Sequence, residues 1–494
     1  MSMLNKIKNR LFLMHPFLLA VYPVLFLFSH NRGQLSYGAI LMPFVFVFLI
    51  SLAAFLLIRL ALKNTIKAAM VASIIIVSTF YYGFFYELVL NWQIGDLIIG
   101  RHRYLFPAWI IVSFATTYFL IKTDKNLINF SKIITVSVIT LVALPIAGVI
   151  QYELTKPQIY ADKNGLIPTE QNNEKLSDKK LPDVYYILPD MYVNSSVLSK
   201  YFDYDNKDFL DYLKNKGFAI AHQSQSNYPS TYLTLASLFN MRYVDEYENE
   251  ELWTLSDYEP LYKMIENNSV VDFFKSKGYI FVHSGTKYTG RQADIELSKW
   301  TINEFTQLLF DSSIMRIVQK RDSFIQKIIA QGMRDNILDT FKTLKETPST
   351  KGPKFVFFHI PSPHWPYLFD KNGEKVSAKF TDIEKLKQTD ETELYLNQLI
   401  FVNKNLKEAV DSILSNSDIP PIIIIQSDHG INFLDEPGLS VQNFSAYYLP
   451  GKKREILSAS MTPVNTFRFI FDQYFGTKHG LLKNTSNYYM GESK

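Results

Sequence analysis

Side chains able to bind a cation or carry a phosphoryl group gather in four short stretches of the second half of the chain. The first is Tyr185-Tyr186-Ile187-Leu188-Pro189-Asp190, and the second is Asn227-Tyr228-Pro229-Ser230-Thr231-Tyr232. The third reads Phe358-His359-Ile360-Pro361-Ser362-Pro363-His364-Trp365-Pro366-Tyr367, and the fourth Ile424-Ile425-Gln426-Ser427-Asp428-His429-Gly430. Asp428 and His429 leave a very apolar run, which sets an oxygen and a nitrogen ligand at its tip. Asp190 holds the same place after another run. Carboxylate plus imidazole ligation suits zinc or manganese better than calcium. A hydroxyl on such a cation loses its proton more readily and becomes a nucleophile. Thr231 follows Pro229-Ser230 and opens a helix-like stretch, so a phosphoryl group on it would face backbone N–H donors. A cation at one oxygen and a helix N-terminus at the others make a sensible phosphoryl-transfer site. Singly, each piece has a plainer reading. Asp428-His429-Gly430 can be a strand-ending turn, Asp190 a cap and Thr231 a helix N-cap, while His359 and His364 can be one buried and one exposed ring. Their joint occurrence, in this order, favours chemistry.

The elements that must hold these residues alternate along the chain. Val184–Leu188, Tyr279–His283, Phe355–Ile360 and Ile422–Ile425 are short apolar runs of strand type. Asn206–Lys216 and Val270–Lys277 carry apolar residues at helical spacing and stop at Gly217 and Gly278. Strands buried on both faces read as continuous apolar runs, so the alternation predicts a largely parallel sheet covered by helices. Ligands of such sheets bind beyond the carboxyl ends of the strands, where the four stretches lie.

The first half of the chain has a different character. Leu11–Ser29, Tyr37–Ile58, Ala68–Leu90, Tyr104–Ile121 and Ile133–Ile150 are apolar stretches, each close to the roughly 20 residues that cross a bilayer core as a helix. Lys6, Lys8 and Arg10, then Arg59, Lys63 and Lys67, then Lys122, Lys125 and Lys132 fall on one side of these stretches, against Arg32, Arg101 and Arg103 on the other. The bias predicts an N-terminus inside and, after five crossings, everything beyond Ile150 outside. Glu87, near the end of the third stretch, is either an intramembrane functional group or an interfacial carboxylate in reach of water. Arg101 and Arg103 are either headgroup contacts or plain interfacial anchors. Gln151 to Pro182 is polar and reads as a linker. The expected organisation is therefore a five-helix transmembrane domain (1–152), a linker (153–182) and an α/β catalytic domain (183–494). A net charge of +4 over 494 residues, without a basic cluster, gives no reason to expect nucleic-acid binding. The absence of cysteine excludes disulfides, thiolate metal sites and a cysteine nucleophile.

Ser427-Asp428-His429-Gly430 after an isoleucine-rich strand, together with Pro361-Ser362-Pro363-His364-Trp365-Pro366-Tyr367, resembles the alkaline phosphatase superfamily in its sulfatase-like branch. The likeness is greatest to lipoteichoic-acid synthase-type membrane phosphotransferases, and it runs from Asp183 to about Phe475 plus the apolar layout ahead. The resemblance implies that Asp190, where many members have glutamate, Thr231, Asp428 and His429 bind one divalent cation, with Mn²⁺ favoured over Mg²⁺ or Zn²⁺. Thr231, rather than Ser230, would become phosphorylated, and His364 would contact the substrate phosphate or assist the leaving group. His283, followed by Tyr288 and Arg291, would hold the phosphate-bearing group. Arg291 stands one residue closer than the family pattern has it and Tyr288 replaces tryptophan, so a solvated charge is the alternative for Arg291. His359 reads as core-facing or supporting, and His222 and His479 suggest no role. No arginine follows Ser230 or Thr231 at two to four residues, which disfavours the formylglycine chemistry of ordinary sulfatases.

These readings predict a transferase at the outer face of the cytoplasmic (inner) membrane. It would move phosphoglycerol or phosphoethanolamine from a phospholipid donor to an envelope polysaccharide or glycolipid. A hydrolase of the same fold and a non-catalytic membrane scaffold are the alternatives, and the oligomeric state is not legible.

Overall fold

A computed structural model describes residues 12–31, 37–94, 97–155, 181–245, 259–285, 292–297, 304–318, 324–376, 388–436, 438–453, 455 and 457–486. Most of the expected linker, together with Lys6, Lys8, Arg10, Arg32, Tyr288 and Arg291, lies outside them. The chain forms two compact units. One comprises Met1–Gln158 with Leu255–Glu259 and Ile302–Gln326; the other holds the rest.

The first unit is mainly helical, and each of the five expected apolar stretches has most of its length on helices. Ile40–Leu62, His102–Lys122 and Ile128–Leu154 are long and apolar enough to cross a membrane. The stretch expected as one span at Ala68–Leu90 is two helices, Thr65–Phe80 and Tyr82–Val89, bent by 55°. Gly83 follows the break, and a Cβ there would lie 2.0 Å from the Asp311 carbonyl oxygen, so only glycine admits that neighbouring backbone. The first stretch is a helix of 16 residues, His15–His30, opened by Pro16. Ile111, Phe114 and Leu144 are 67%, 71% and 66% exposed, a surface unfavourable in water and suited to hydrocarbon.

Polar side chains tie these helices where apolar packing alone supplies little drive. Buried His15 reaches Ser73 Oγ through Nδ1 (2.6 Å) and Ser131 Oγ through Nε2 (3.2 Å), joining three helices. Replacing His15 by leucine is expected to lower stability by about 1 kcal/mol, seen as an earlier thermal transition of the detergent-solubilised chain. An unchanged transition would remove this tie from the account. Glu87 pairs with Arg316, whose guanidinium lies 4.9 Å from the centre of the Tyr86 ring. Its charge is therefore matched within the unit.

The second unit is built on a seven-stranded sheet. Its strands are β1 (Val184–Pro189), β2 (Ala219–Ile220), β3 (Ile280–Ser284), β4 (Ile295–Glu296), β5 (Lys354–Ile360), β6 (Ile422–Gln426) and β7 (Ser445–Tyr448). They run in the order β2-β7-β6-β1-β5-β3-β4. Pairings from β6 through β1, β5 and β3 to β4 are parallel; only β7 runs against its neighbours β6 and β2. β1, β5 and β6 are buried at every residue, as expected of strands made mainly of apolar residues.

Strand periodicity sorts the two faces. Tyr185, Ile187, Val356, Phe358, Ile423 and Ile425 enter a core shared with helices Lys207–Lys216, Phe324–Glu346 and Gln388–Asn416. On the other face Tyr186, Phe355 and Phe357 meet Phe239, Phe274 and Phe467 of helices Thr231–Asn240, Ser269–Ser276 and Pro463–Tyr474. The helix opened by Thr231 thus packs on the face to which Leu188 and His359 belong, and those two residues are register partners.

Candidate metal centre

Two of the chemistry-bearing strand ends meet. One ligand atom from each of Asp190, Asp428 and His429 lies within 4.8 Å of the others, and all three residues are buried. His429 Nε2 is 3.6 Å from Asp190 Oδ1 and 3.5 Å from Asp428 Oδ2. Those two carboxylate oxygens are buried and have no hydrogen-bond partner among the described residues. An orphaned buried carboxylate oxygen is costly, and two beside one imidazole nitrogen form the donor set of a divalent cation. The residues present therefore fit such an ion.

The surrounding bonds aim these atoms. His429 Nδ1 lies 2.7 Å from the Gly430 carbonyl oxygen. A carbonyl only accepts, so Nδ1 carries the hydrogen and Nε2 is left bare toward the carboxylates. Gly430 is required here: a Cβ on it would lie 2.0 Å from the Leu439 carbonyl oxygen. Asp428 Oδ1 accepts from Met191 N–H (3.2 Å), which leaves Oδ2 for the cluster. Ser427 Oγ accepts from Tyr192 N–H and donates to the His429 carbonyl, bracing the turn.

Electrostatics agree with this arrangement. Burial alone would raise the Asp190 carboxyl, yet His364, His359 and His429 hold it well below the usual carboxylate range. Burial pushes His429 down, but Asp428, Asp190 and the Gly430 carbonyl carry it above the usual imidazole value. The cluster is a sink for positive charge, whether that charge comes as protons or as a cation.

Thr231 is the first residue of the helix Thr231–Asn240. Ser230 occupies the cap position and its side chain makes no capping bond, so the plain N-cap reading does not apply to Thr231. The segment leading to it is anchored: Asn227 Oδ1 accepts from Val464 N–H, and buried Tyr228 donates to Asp245. Ser226 N–H donates to the Val441 carbonyl, while Gly430 N–H donates to the adjacent Ser440 carbonyl. One turn therefore pins both the loop before Thr231 and the loop after His429. His364 stands with its ring centre 6.3 Å from that of His429, and its backbone N–H bonds the Asp190 carbonyl at 3.2 Å. Its Nδ1 lies 2.6 Å from the Trp365 carbonyl oxygen, so Nε2 is bare in the neutral ring.

His283 is fully buried on β3, with Nδ1 2.7 Å from Glu296 Oε2 on β4. No sequence motif marks Glu296; strand register alone sets it beside His283. His359 bonds Asp190 Oδ2 through Nε2 at 3.1 Å. Its spacing from His364 marks it as a histidine near the strand end, but only strand register assigns its partner. His479 belongs to a turn tied by Asp472 and Arg468.

The sulfatase family profile matches residues 194–473, more than half of the chain. The chain belongs to the sulfatase family. Among solved structures it is similar to lipooligosaccharide phosphoethanolamine transferase A (EptA) from Neisseria meningitidis, with 12% identity over 94% of each chain and a TM-score of 0.42. It is also similar to the C-terminal periplasmic domain of phosphoethanolamine transferase EptC from Campylobacter jejuni (12% identity, 61% of this chain and 91% of that one, TM-score 0.39). A third likeness is to the putative sulfatase yidJ from Bacteroides fragilis (12%, 60% and 74%, TM-score 0.37). No curated protein matches the chain. Within the sulfatase family this member has no cysteine, and Thr231 stands where its helix begins.

Proposed function

We propose that the protein is a membrane-anchored, metal-dependent phosphotransferase of the sulfatase family, acting by double displacement through a phospho-threonine. The observation that carries the reading is the buried trio of Asp190 Oδ1, Asp428 Oδ2 and His429 Nε2, each bare and converging. With Thr231 Oγ1 they would hold one divalent cation, Mn²⁺ by preference, which lowers the hydroxyl's pKa and offsets charge on the phosphoryl oxygens. Thr231 Oγ1 attacks the phosphorus of a phospholipid headgroup, and the bond from phosphorus to the diacylglycerol oxygen breaks. The bare Nε2 of His364 takes the threonine proton and delivers it to that departing oxygen. In the second half the order reverses. An acceptor hydroxyl gives its proton to His364 Nε2 and bonds to phosphorus, and the Thr231–phosphorus bond breaks as the proton returns to Oγ1.

The group moved is phosphoglycerol or phosphoethanolamine, and the acceptor an envelope glycan or glycolipid. His283 and Arg291 are proposed to hold the headgroup. Residues 1–152 form the membrane domain with five crossings, 153–182 the linker and 183–494 the catalytic domain, outside the cytoplasmic membrane. The lysine and arginine bias supports this orientation, and an anchor confines the enzyme to the surface that carries its donor.

Vesicles of phosphatidylethanolamine or phosphatidylglycerol, labelled in the headgroup and supplied with an envelope fraction, test the reaction. Label is expected on an envelope acceptor, with diacylglycerol as co-product in equal amount. Free labelled headgroup phosphate instead would make the protein a hydrolase, and no turnover of either lipid would end the proposal.

A further inference from the structure

We propose that His359 is a positioning residue, whose Nε2–H holds one oxygen of Asp190 so that the other is presented bare to the cation. The inference rests on the reading of Asp190, Asp428 and His429 as the ligand set. His359 is 2% exposed and its Nε2 lies 3.1 Å from Asp190 Oδ2. An ionised carboxylate only accepts, so the hydrogen sits on Nε2. Asp190 Oδ1, the oxygen nearer His429 Nε2, has no hydrogen-bond partner among the described residues. One oxygen is committed and one is free, so the carboxylate offers a single directed donor rather than a rotating pair.

The fold spends specific features on this contact. Register pairs His359 of β5 with Leu188 of β1, and Asp190 follows Leu188 by two, so both side chains reach the same face. Asp190 N–H bonds the Ile360 carbonyl at 3.0 Å, which fixes its backbone against β5. On the far side of β5, Gly285 has a φ of +141°, and a Cβ there would lie 2.6 Å from His359 Cβ and 2.9 Å from its carbonyl oxygen. Only glycine leaves His359 where it stands. His359 Nδ1 is buried and has no partner among the described residues, so the ring's one hydrogen bond there is the one to Asp190.

The test is Mn²⁺ binding to the full detergent-solubilised chain, followed by the electron paramagnetic resonance signal of free Mn²⁺. Wild type is expected to bind one ion and Asp428→Asn to bind none; failure of this arm rejects the ligand set itself. With that arm passed, His359→Leu is expected to bind roughly 10- to 100-fold more weakly. His359→Gln, whose side-chain N–H can still donate, should stay within about threefold of wild type. In the Asp190→Asn background His359→Leu should cost nothing further, because the two act through one carboxylate. Metal-free thermal unfolding of each variant reports the fold separately. Wild-type affinity in His359→Leu, equal weakness of Leu and Gln, or losses that add in the double variant would each overturn the positioning role.

Discussion

Thr231→Ala is expected to abolish headgroup transfer, with a fall of about 10⁴-fold or more, in the range seen when a covalent nucleophile is removed. The loss should be chemical and not structural. Ser230, not Thr231, occupies the cap position of the helix Thr231–Asn240, and alanine is a good helix former at its first position, so stability should change by less than about 1 kcal/mol. Intact-mass analysis after brief exposure to a phospholipid should find a phosphoryl-headgroup adduct on the wild type and none on the variant. Thr231→Ser, which keeps a hydroxyl, should retain a measurable part of both. An alanine variant with a tenth of wild-type turnover would mean that the nucleophile lies elsewhere, and Ser230 would be the next residue to replace.

The second large effect concerns the cation. Asp428 is fully buried, with Oδ1 bound by Met191 N–H and Oδ2 bare. Asparagine preserves the shape but replaces one charged donor, and His429→Ala removes the only nitrogen donor of the trio. Each change is expected to lower transfer by about 10³-fold or more, since the cation supplies both nucleophile activation and charge stabilisation. The measurement that separates this from simple damage is thermal stability with and without Mn²⁺. An ion that binds only the folded state stabilises by about 2.7 kcal/mol when present at 100 times its dissociation constant. Wild type should therefore unfold at a higher temperature with Mn²⁺ than with a chelator, while Asp428→Asn and His429→Ala should unfold at the same temperature in both. A wild-type transition indifferent to Mn²⁺, Mg²⁺ and Zn²⁺ alike would remove the metal from the mechanism.

Both expectations depend on residues far apart in sequence, and the chain reveals them unequally. Val184–Leu188, Phe355–Ile360 and Ile422–Ile425 were legible as strands because each is a short run of mainly β-branched, aromatic or other apolar residues, which needs no knowledge of a neighbour. Asp190 and Asp428-His429 were legible as strand-end polar groups for the same local reason. The bend at Tyr81 was not, since the hydropathy of Ala68–Leu90 continues across it, and Gly83 marks a close backbone approach by Asp311 that comes from far down the chain. Nor was the pairing of Glu87 with Arg316, separated by more than two hundred residues.

The sequence by itself determined the kind of protein: apolar stretches of bilayer length, then an alternating α/β unit whose polar strand ends hold carboxylates, imidazoles and a helix-opening threonine. These are properties of consecutive residues, set by solvation and by the periods of helix and strand. Only the tertiary structure decided which atoms face one another. Register between two parallel strands turned His359 toward Asp190, a backbone carbonyl left His429 Nε2 bare, and glycines at 285 and 430 admitted the contacts that make both possible. A one-residue slip in that register would have sent His359 to the opposite face without changing any local pattern.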